Sequence, residues 1–264
     1  MHAHWKIDKA SLAKWRQLVE DNRHKALPRR RYLWNVKRQC PALTEQWIWT
    51  ALIGCQVTTQ QKSGQGTSVD NFLKSSSPAL NVERCRRTRD LYALLVKELE
   101  RAKLRRSTTI AENLVEIMSH LEAGEWQKLL CQLETISKRT DWRAERAVVD
   151  YLLKKHEVPG TSKSRKRYPG LGPKQARNFV QWLGLSRHEV PIDSRVLKKM
   201  KEFGTTFLPS GAALGDEAVY VFVQDGLQQI AESLAIYPCI LDACIFASFD
   251  ITSDGDAGEP ETQS

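Results

Sequence analysis

The chain has 264 residues, 41% of them hydrophobic, enough to bury a core as one large domain or two fused lobes and too many for a disordered chain. Forty Lys and Arg against 31 Asp and Glu give a formal charge of +9 and a pI near 9.3, which favours a polyanionic partner such as nucleic acid over an acidic small molecule. The six cysteines are scattered without C-x2-C spacing, and no apolar run approaches about twenty residues, so the expectation is free thiols, no metal cluster, no membrane partner and a reducing compartment.

From the N-terminus, Leu12, Trp15, Leu18 and Val19 form a helical stripe, followed by Pro28-Arg29-Arg30-Arg31. That basic run reads either as a phosphate contact or as a solvated loop ahead of a helix starting near Tyr32. Thr44, three residues before Trp47, opens the strongly apolar stretch 47–54, assigned to a buried helix. A polar, flexible string from Thr58 to Gly66 follows, then a turn at Ser75-Ser76-Ser77-Pro78 and a helical stripe at Leu91, Leu94, Leu95 and Leu99. Further helices are predicted over 107–122, 125–135 and 142–155. Almost nothing alternates with period two, so the predicted class is all-α. Trp47, Trp49, Trp126, Trp142 and Trp182 are each core residues or base-stacking platforms, with core favoured.

Residues 158–167 interrupt the apolar pattern with a basic string that includes Arg165, Lys166 and Arg167. The approach to the next turn is therefore open: either the helix from Trp142 reaches His156 and an inserted basic loop follows, or a short turn forms over 164–168. After residue 203 a loop through Pro209-Ser210-Gly211 leads to predicted helices over 216–234 and 238–249. Asp242, set among Ile240, Leu241, Ile245 and Phe246, either accepts a bond from the region of the glycine turn or serves as a cap or exposed group. The acidic, glycine-rich end, 253–264, is predicted to be a disordered tail.

Between these parts lies Tyr168 to Met200, the most informative stretch. Gly170-Leu171-Gly172 supplies two residues that tolerate φ > 0, and Pro173 suits a first helical position. Ala176, Phe179, Val180 and Leu183 then form an apolar stripe that stops at Gly184. Amides at such a helix start cradle a phosphate without regard to sequence, although a turn and cap alone would look the same. Lys174 falls in the first turn, where the helix dipole disfavours a cation by roughly 0.3–1 kcal/mol. Together with partial burial this favours the neutral amine a lysine nucleophile needs, the alternative being an exposed lysine reaching a phosphate. Val190-Pro191-Ile192-Asp193 approaches a second helix, with Asp193 as its N-cap and as a carboxylate able to stand beside a developing positive charge.

Pro169-Gly170-Leu171-Gly172-Pro173-Lys174 followed by Pro191-Ile192-Asp193 resembles the helix-hairpin-helix-GPD superfamily of base-excision DNA glycosylases. GLGPKQARNFVQWLG is most similar to the corresponding segment of the shorter, cluster-free 8-oxoguanine glycosylase/lyases, with Gln175 in place of the usual Glu. The resemblance implies a single glycosylase domain over 1–252, built as two helical lobes with the active site in the cleft between them. It implies a monomer acting on double-stranded DNA that contains a damaged base, in the cytoplasm and on the nucleoid or in the nucleus. No cofactor and no iron–sulfur cluster are implied, beyond a monovalent cation at the hairpin. By the same likeness Lys174 is the Schiff-base lysine that marks the bifunctional members and Asp193 the catalytic carboxylate, which also assists deprotonation of the amine. Gln56, in Gln56-Val57-Thr58, is the candidate wedge beside the extruded nucleotide, and the Gly170, Leu171 and Gly172 amides with Arg165, Lys166 and Arg167 hold the backbone. Three other functions remain open at this stage: a glycosylase for another modified base, a non-catalytic DNA-binding module, and an all-α interaction domain.

Overall fold

Apolar residues at helical spacing dominate the sequence, and the computed structural model, which describes residues 5–138, 141–157 and 164–249, is correspondingly helical. Helix α1 (Lys9–Asn22) starts at Asp8, whose carboxylate accepts from the Ser11 amide at 2.6 Å, and it buries Trp15, Leu18 and Val19. Helix α2 (Ala26–Arg31) runs directly into a π-helical turn, Tyr32–Val36. The Pro28–Arg31 run is thus helical rather than a loop, because Pro28 falls in a first turn that needs no amide from it. Its last arginine points inward: Arg31 Nη1 donates to the Gln181 carbonyl at 2.9 Å, and the Arg30 guanidinium lies over the Trp34 ring.

Thr44 Oγ1 accepts from the Trp47 amide at 3.1 Å and opens α3 (Glu45–Val57), the buried helix expected there. Helices α4 (Ser68–Leu73), α5 (Val82–Arg87), α6 (Leu91–Arg101), α7 (Ser107–His120), α8 (Trp126–Lys138) and α9 (Trp142–Leu153) follow. Of the indoles, Trp49 is wholly buried and donates to the Ala79 carbonyl at 3.0 Å, a core role.

Strands β1 (Lys155–Glu157) and β2 (Ser164–Lys166) pair antiparallel, Lys155 opposite Lys166 and His156 opposite Arg165, one small ladder in a fold that is otherwise all-α as expected. The basic string is an insertion that leaves α9 at Leu153 and returns to the turn before α10 (Pro173–Trp182); its centre, 158–163, lies outside the described residues, as does the acidic end 253–264. Helices α11 (Ser194–Glu202), α12 (Glu217–Ser233) and α13 (Pro238–Ala247) complete the fold. Among the described residues no single helix is long and apolar enough to cross a membrane.

Buried hydrophobic side chains form two clusters. One is built from α3 to α10 around Trp49, Leu52, Leu95, Leu99, Ile110, Leu114 and Phe179. The other gathers α1 with α11, α12 and α13 around Trp15, Met200, Tyr220, Val223, Leu227 and Ile245. The chain therefore begins in the second cluster, builds the first and returns, crossing back between α10 and α11; the glycine turn lies just before α10, and Asp193 stands at the far end of that crossing.

Candidate active site

The turn before α10 is held from below. Tyr168 is fully buried, and its carbonyl accepts from the Leu171 amide at 3.1 Å. Gly170 has φ +79°, and a Cβ there would come within 2.2 Å of Gln56 Oε1, so only glycine fits. Gly172 is different: its φ is −96°, and a Cβ would meet nothing within 4 Å. Only Gly170 uses left-handed backbone, then, and the small residue at 172 leaves open space in front of a helix start. The first turn of α10 has no side-chain cap, and among the described residues the amides of Gly172, Lys174 and Gln175 carry no hydrogen bond. These three amides are donors left free to receive an anion. Leu171 leaves the predicted set, because its side chain is buried and its amide is consumed by Tyr168.

Lys174 sits in that first turn, partly buried, with no hydrogen bond or ion pair among the described residues. Its charge is felt at two buried groups. Burial pushes the Cys55 thiol up, with Lys174 pulling the other way, and Lys174 also acts on Asp242 of α13. Asp193 is the N-cap of α11, as expected: Oδ1 accepts from the amides of Arg195 at 2.9 Å and Val196 at 3.2 Å. Oδ2 receives the Arg195 guanidinium, Nε at 3.0 Å and Nη2 at 2.7 Å, and that guanidinium lies 3.6 Å over the Phe246 ring. Asp193 also acts on Asp242, so the lysine and the two aspartates share one electrostatic cluster.

The geometry between Lys174 and Asp193 is set by the connector that joins their helices. Glu145 on α9, fully buried, accepts from the amides of Arg187 at 2.8 Å, His188 at 2.8 Å and Glu189 at 3.3 Å and from the Ser186 hydroxyl at 2.7 Å. Burial pushes its carboxyl up while these donors pull it down. Asn35 Nδ2 spans the Gln181 and Ser186 carbonyls at 3.0 and 2.8 Å. Arg177, wholly buried, pairs with Glu189 at 2.7 Å and Glu217 at 2.6 Å, while its Nη1 donates to the Pro173 carbonyl at 3.0 Å. One side chain thus ties the start of α10 to the connector and to α12.

Two further predictions are corrected. Gln56 is no wedge: it lies in the last turn of α3 with 3% exposure, Nε2 donating to the Pro169 carbonyl at 2.7 Å and Oε1 accepting from Asn113 at 3.2 Å. It supports the turn from inside, because the helix continues one residue past it before the loop begins. Gln60 and Gln65 are the exposed glutamines of that loop, and Gln60, nearer the end of α3, has a left-handed φ of +59°. Arg167 likewise turns inward, over the Tyr151 ring at 4.6 Å and onto Glu125 at 3.1 Å, whereas Arg165 and Lys166 on β2 are exposed.

No protein-family model and no curated protein matches the sequence. Among solved structures, Tm1821, the 8-oxoguanine DNA glycosylase of Thermotoga maritima, superposes with a TM-score of 0.63 at 19% identity, over 92% of this chain and 100% of that one. The Methanocaldococcus jannaschii 8-oxoguanine DNA glycosylase, MjOgg, gives 0.60 at 14% identity, over 89% and 91%. This chain has their fold. At such low identity the likeness resides in helix order and packing, so site assignments depend on the side chains themselves.

Sequence reasoning missed Arg195, Glu145 and Arg177. Arg195 was within reach of it, since an arginine two positions after a capping aspartate can close back on the carboxylate. Glu145 and Arg177 lie on polar-looking helical positions, and partners distant in the chain, Ser186 to Glu189 for Glu145 and Glu217 for Arg177, mark them as buried.

Proposed function

We propose that the protein is a base-excision DNA glycosylase with AP lyase activity, which removes an oxidised purine, 8-oxoguanine, from duplex DNA and nicks the strand through a lysine Schiff base. One observation carries this reading: an amine free of hydrogen bonds and ion pairs among the described residues and a fully engaged carboxylate open successive helices joined by a buried connector. The fold shared with two 8-oxoguanine glycosylases supports the substrate class.

In this mechanism a backbone phosphate rests on the free amides at Gly172, Lys174 and Gln175, with the positive end of the α10 dipole behind them. Arg165 and Lys166 add exposed charge, so affinity falls as salt rises. The target nucleotide leaves the stack at a cost of a few kcal/mol, and Gln60 on the exposed loop fills the space it vacates. The amine of Lys174 attacks C1′ as the base departs, while the fixed negative charge of Asp193 stabilises the oxocarbenium-like sugar. The resulting imine permits β-elimination on the 3′ side, a step that a water nucleophile would not open.

Borohydride reduction on an 8-oxoguanine duplex tests this reading. The wild type is expected to form a covalent adduct and nick the strand, and Lys174→Ala to do neither while still binding DNA. Absence of product at high enzyme concentration would leave a non-catalytic DNA-binding module instead.

A further inference from the structure

A lysine that is to act as a nucleophile must first lose a proton, and Asp193 is poorly placed to take it. A carboxylate offers about four lone-pair sites, and those of Asp193 meet two backbone amides, Arg195 Nε and Arg195 Nη2. A carboxylate on which Lys174 does act is Asp242. Phe246, on which Arg195 is stacked, lies one turn beyond Asp242 on α13, so both project from the same face toward the start of α11. Asp242 is 8% exposed and, among the described residues, makes no hydrogen bond or ion pair.

We propose, building on the function proposed above, that Asp242 takes the proton Lys174 must shed, leaving Asp193 to hold charge. Among the described residues the two groups form no ion pair, and transfer between them requires a bridging water or a rotamer change of Lys174. The Lys174 ammonium becomes the amine and the Asp242 carboxylate becomes a carboxylic acid. The nitrogen lone pair then forms the bond to C1′ while the N-glycosidic bond breaks. Its electron pair leaves with the base, which solvent protonates, and Asp242 returns its proton to solvent before the next turnover.

The charges around Asp242 suit this task. Arg31 faces it from α2, Lys174 from α10, Asp193 and Arg195 from the start of α11, and Tyr220 from α12. Helix α1 directs Arg23 at Cys244 instead, and on α13 itself Cys239 and Cys244 lie within its field. Burial, opposed by Arg31 and reinforced by Asp193, pushes the Asp242 carboxyl up to about 7. A group that exchanges its proton near neutrality is what general base catalysis requires.

Single-turnover base release on the 8-oxoguanine duplex, followed from pH 5.5 to 9, tests the assignment. The wild-type rate should climb with pH and level off near 7. Asp242→Asn should lose on the order of 10²-fold at pH 7.5, with DNA affinity unchanged, and should lose the bend near 7. Asp193→Asn should be slow throughout yet keep a bend, moved below 7 because the Asp193 charge no longer raises Asp242. Melting supplies a check without DNA. A carboxyl raised from 3.8 to about 7 contributes stability below pH 4 that is lost as pH rises through 7. The melting temperature of Asp242→Asn should therefore gain on the wild type between pH 5 and 8. An unchanged rate and bend in Asp242→Asn, or a flat difference in melting, overturns the role of Asp242. A wild type that forms no borohydride adduct overturns the lyase reading itself, which keeps the two failures distinct.

Discussion

The connector that leaves the end of α10, 184–193, and the loop that touches its start, 58–67, are built in opposite ways. In the connector Ser186, Glu189 and Val190 are buried, and the backbone is bonded to Glu145, Asn35, Arg38, Gln181 and Gln228. In the loop Gln60, Lys62, Gln65 and Gly66 are exposed. Beyond the two helices that flank it, α3 and α4, it is tied by Gln175 Nε2, which donates to Thr59 Oγ1 at 2.6 Å, and by Gln61, which accepts from the Arg105 amide at 3.0 Å. The difference separates two demands of the proposed reaction. Attack at C1′ needs the lysine and the carboxylate fixed to within a fraction of an ångström, whereas insertion into a duplex needs a segment that can change shape without unfolding its neighbours.

The strongest way to break that contrast is at Glu145. Replacing it with Ala strips an acceptor from three amides and a hydroxyl in a buried site, and the expected cost is about 3–5 kcal/mol, read as a lowered midpoint in urea together with slower base release. An unchanged midpoint would mean that the connector relaxes without Glu145. Next come the two glycines of the turn, which should behave differently. Gly170→Ala forces a left-handed backbone and a clash with Gln56, costing about 1–3 kcal/mol. Gly172→Ala meets no protein atom, so stability should shift by less than about 1 kcal/mol, while affinity for duplex DNA drops because the methyl group stands where the phosphate would approach. Equal affinity in Gly172→Ala and wild type would remove the amides from the DNA interface. The smallest effect on stability is expected at Gln60, where Ala should change the midpoint by no more than about 0.5 kcal/mol. Base release should nonetheless slow roughly tenfold on a paired lesion and recover on an unpaired one, where extrusion costs less.

The same contrast marks what a sequence makes legible. The placement of Lys174 and Asp193 at helix starts was readable because glycine, proline and capping chemistry act over three or four neighbouring residues. The helices were readable from the apolar period, with ends displaced by a few residues, as where α9 stops at Leu153. Gln56 was misplaced for a definite reason: the periodic stretch gives no signal for where its last turn ends, and one more helical residue carries the side chain from the loop into the core. Arg167 failed similarly, since a basic run looks uniformly exposed until Tyr151 and Glu125 arrive from other helices. The network under the connector left little local trace, because its main bonds, from Glu145, Asn35 and Glu217, join residues far apart in the chain.

The central claim is that Lys174 is the nucleophile, and the most direct measurement identifies the residue that carries the sugar. Reducing the wild-type complex on an 8-oxoguanine duplex with borohydride, digesting it and sequencing the modified peptide by tandem mass spectrometry should place the adduct on Lys174. An adduct on another lysine or on the N-terminal amine would contradict the account.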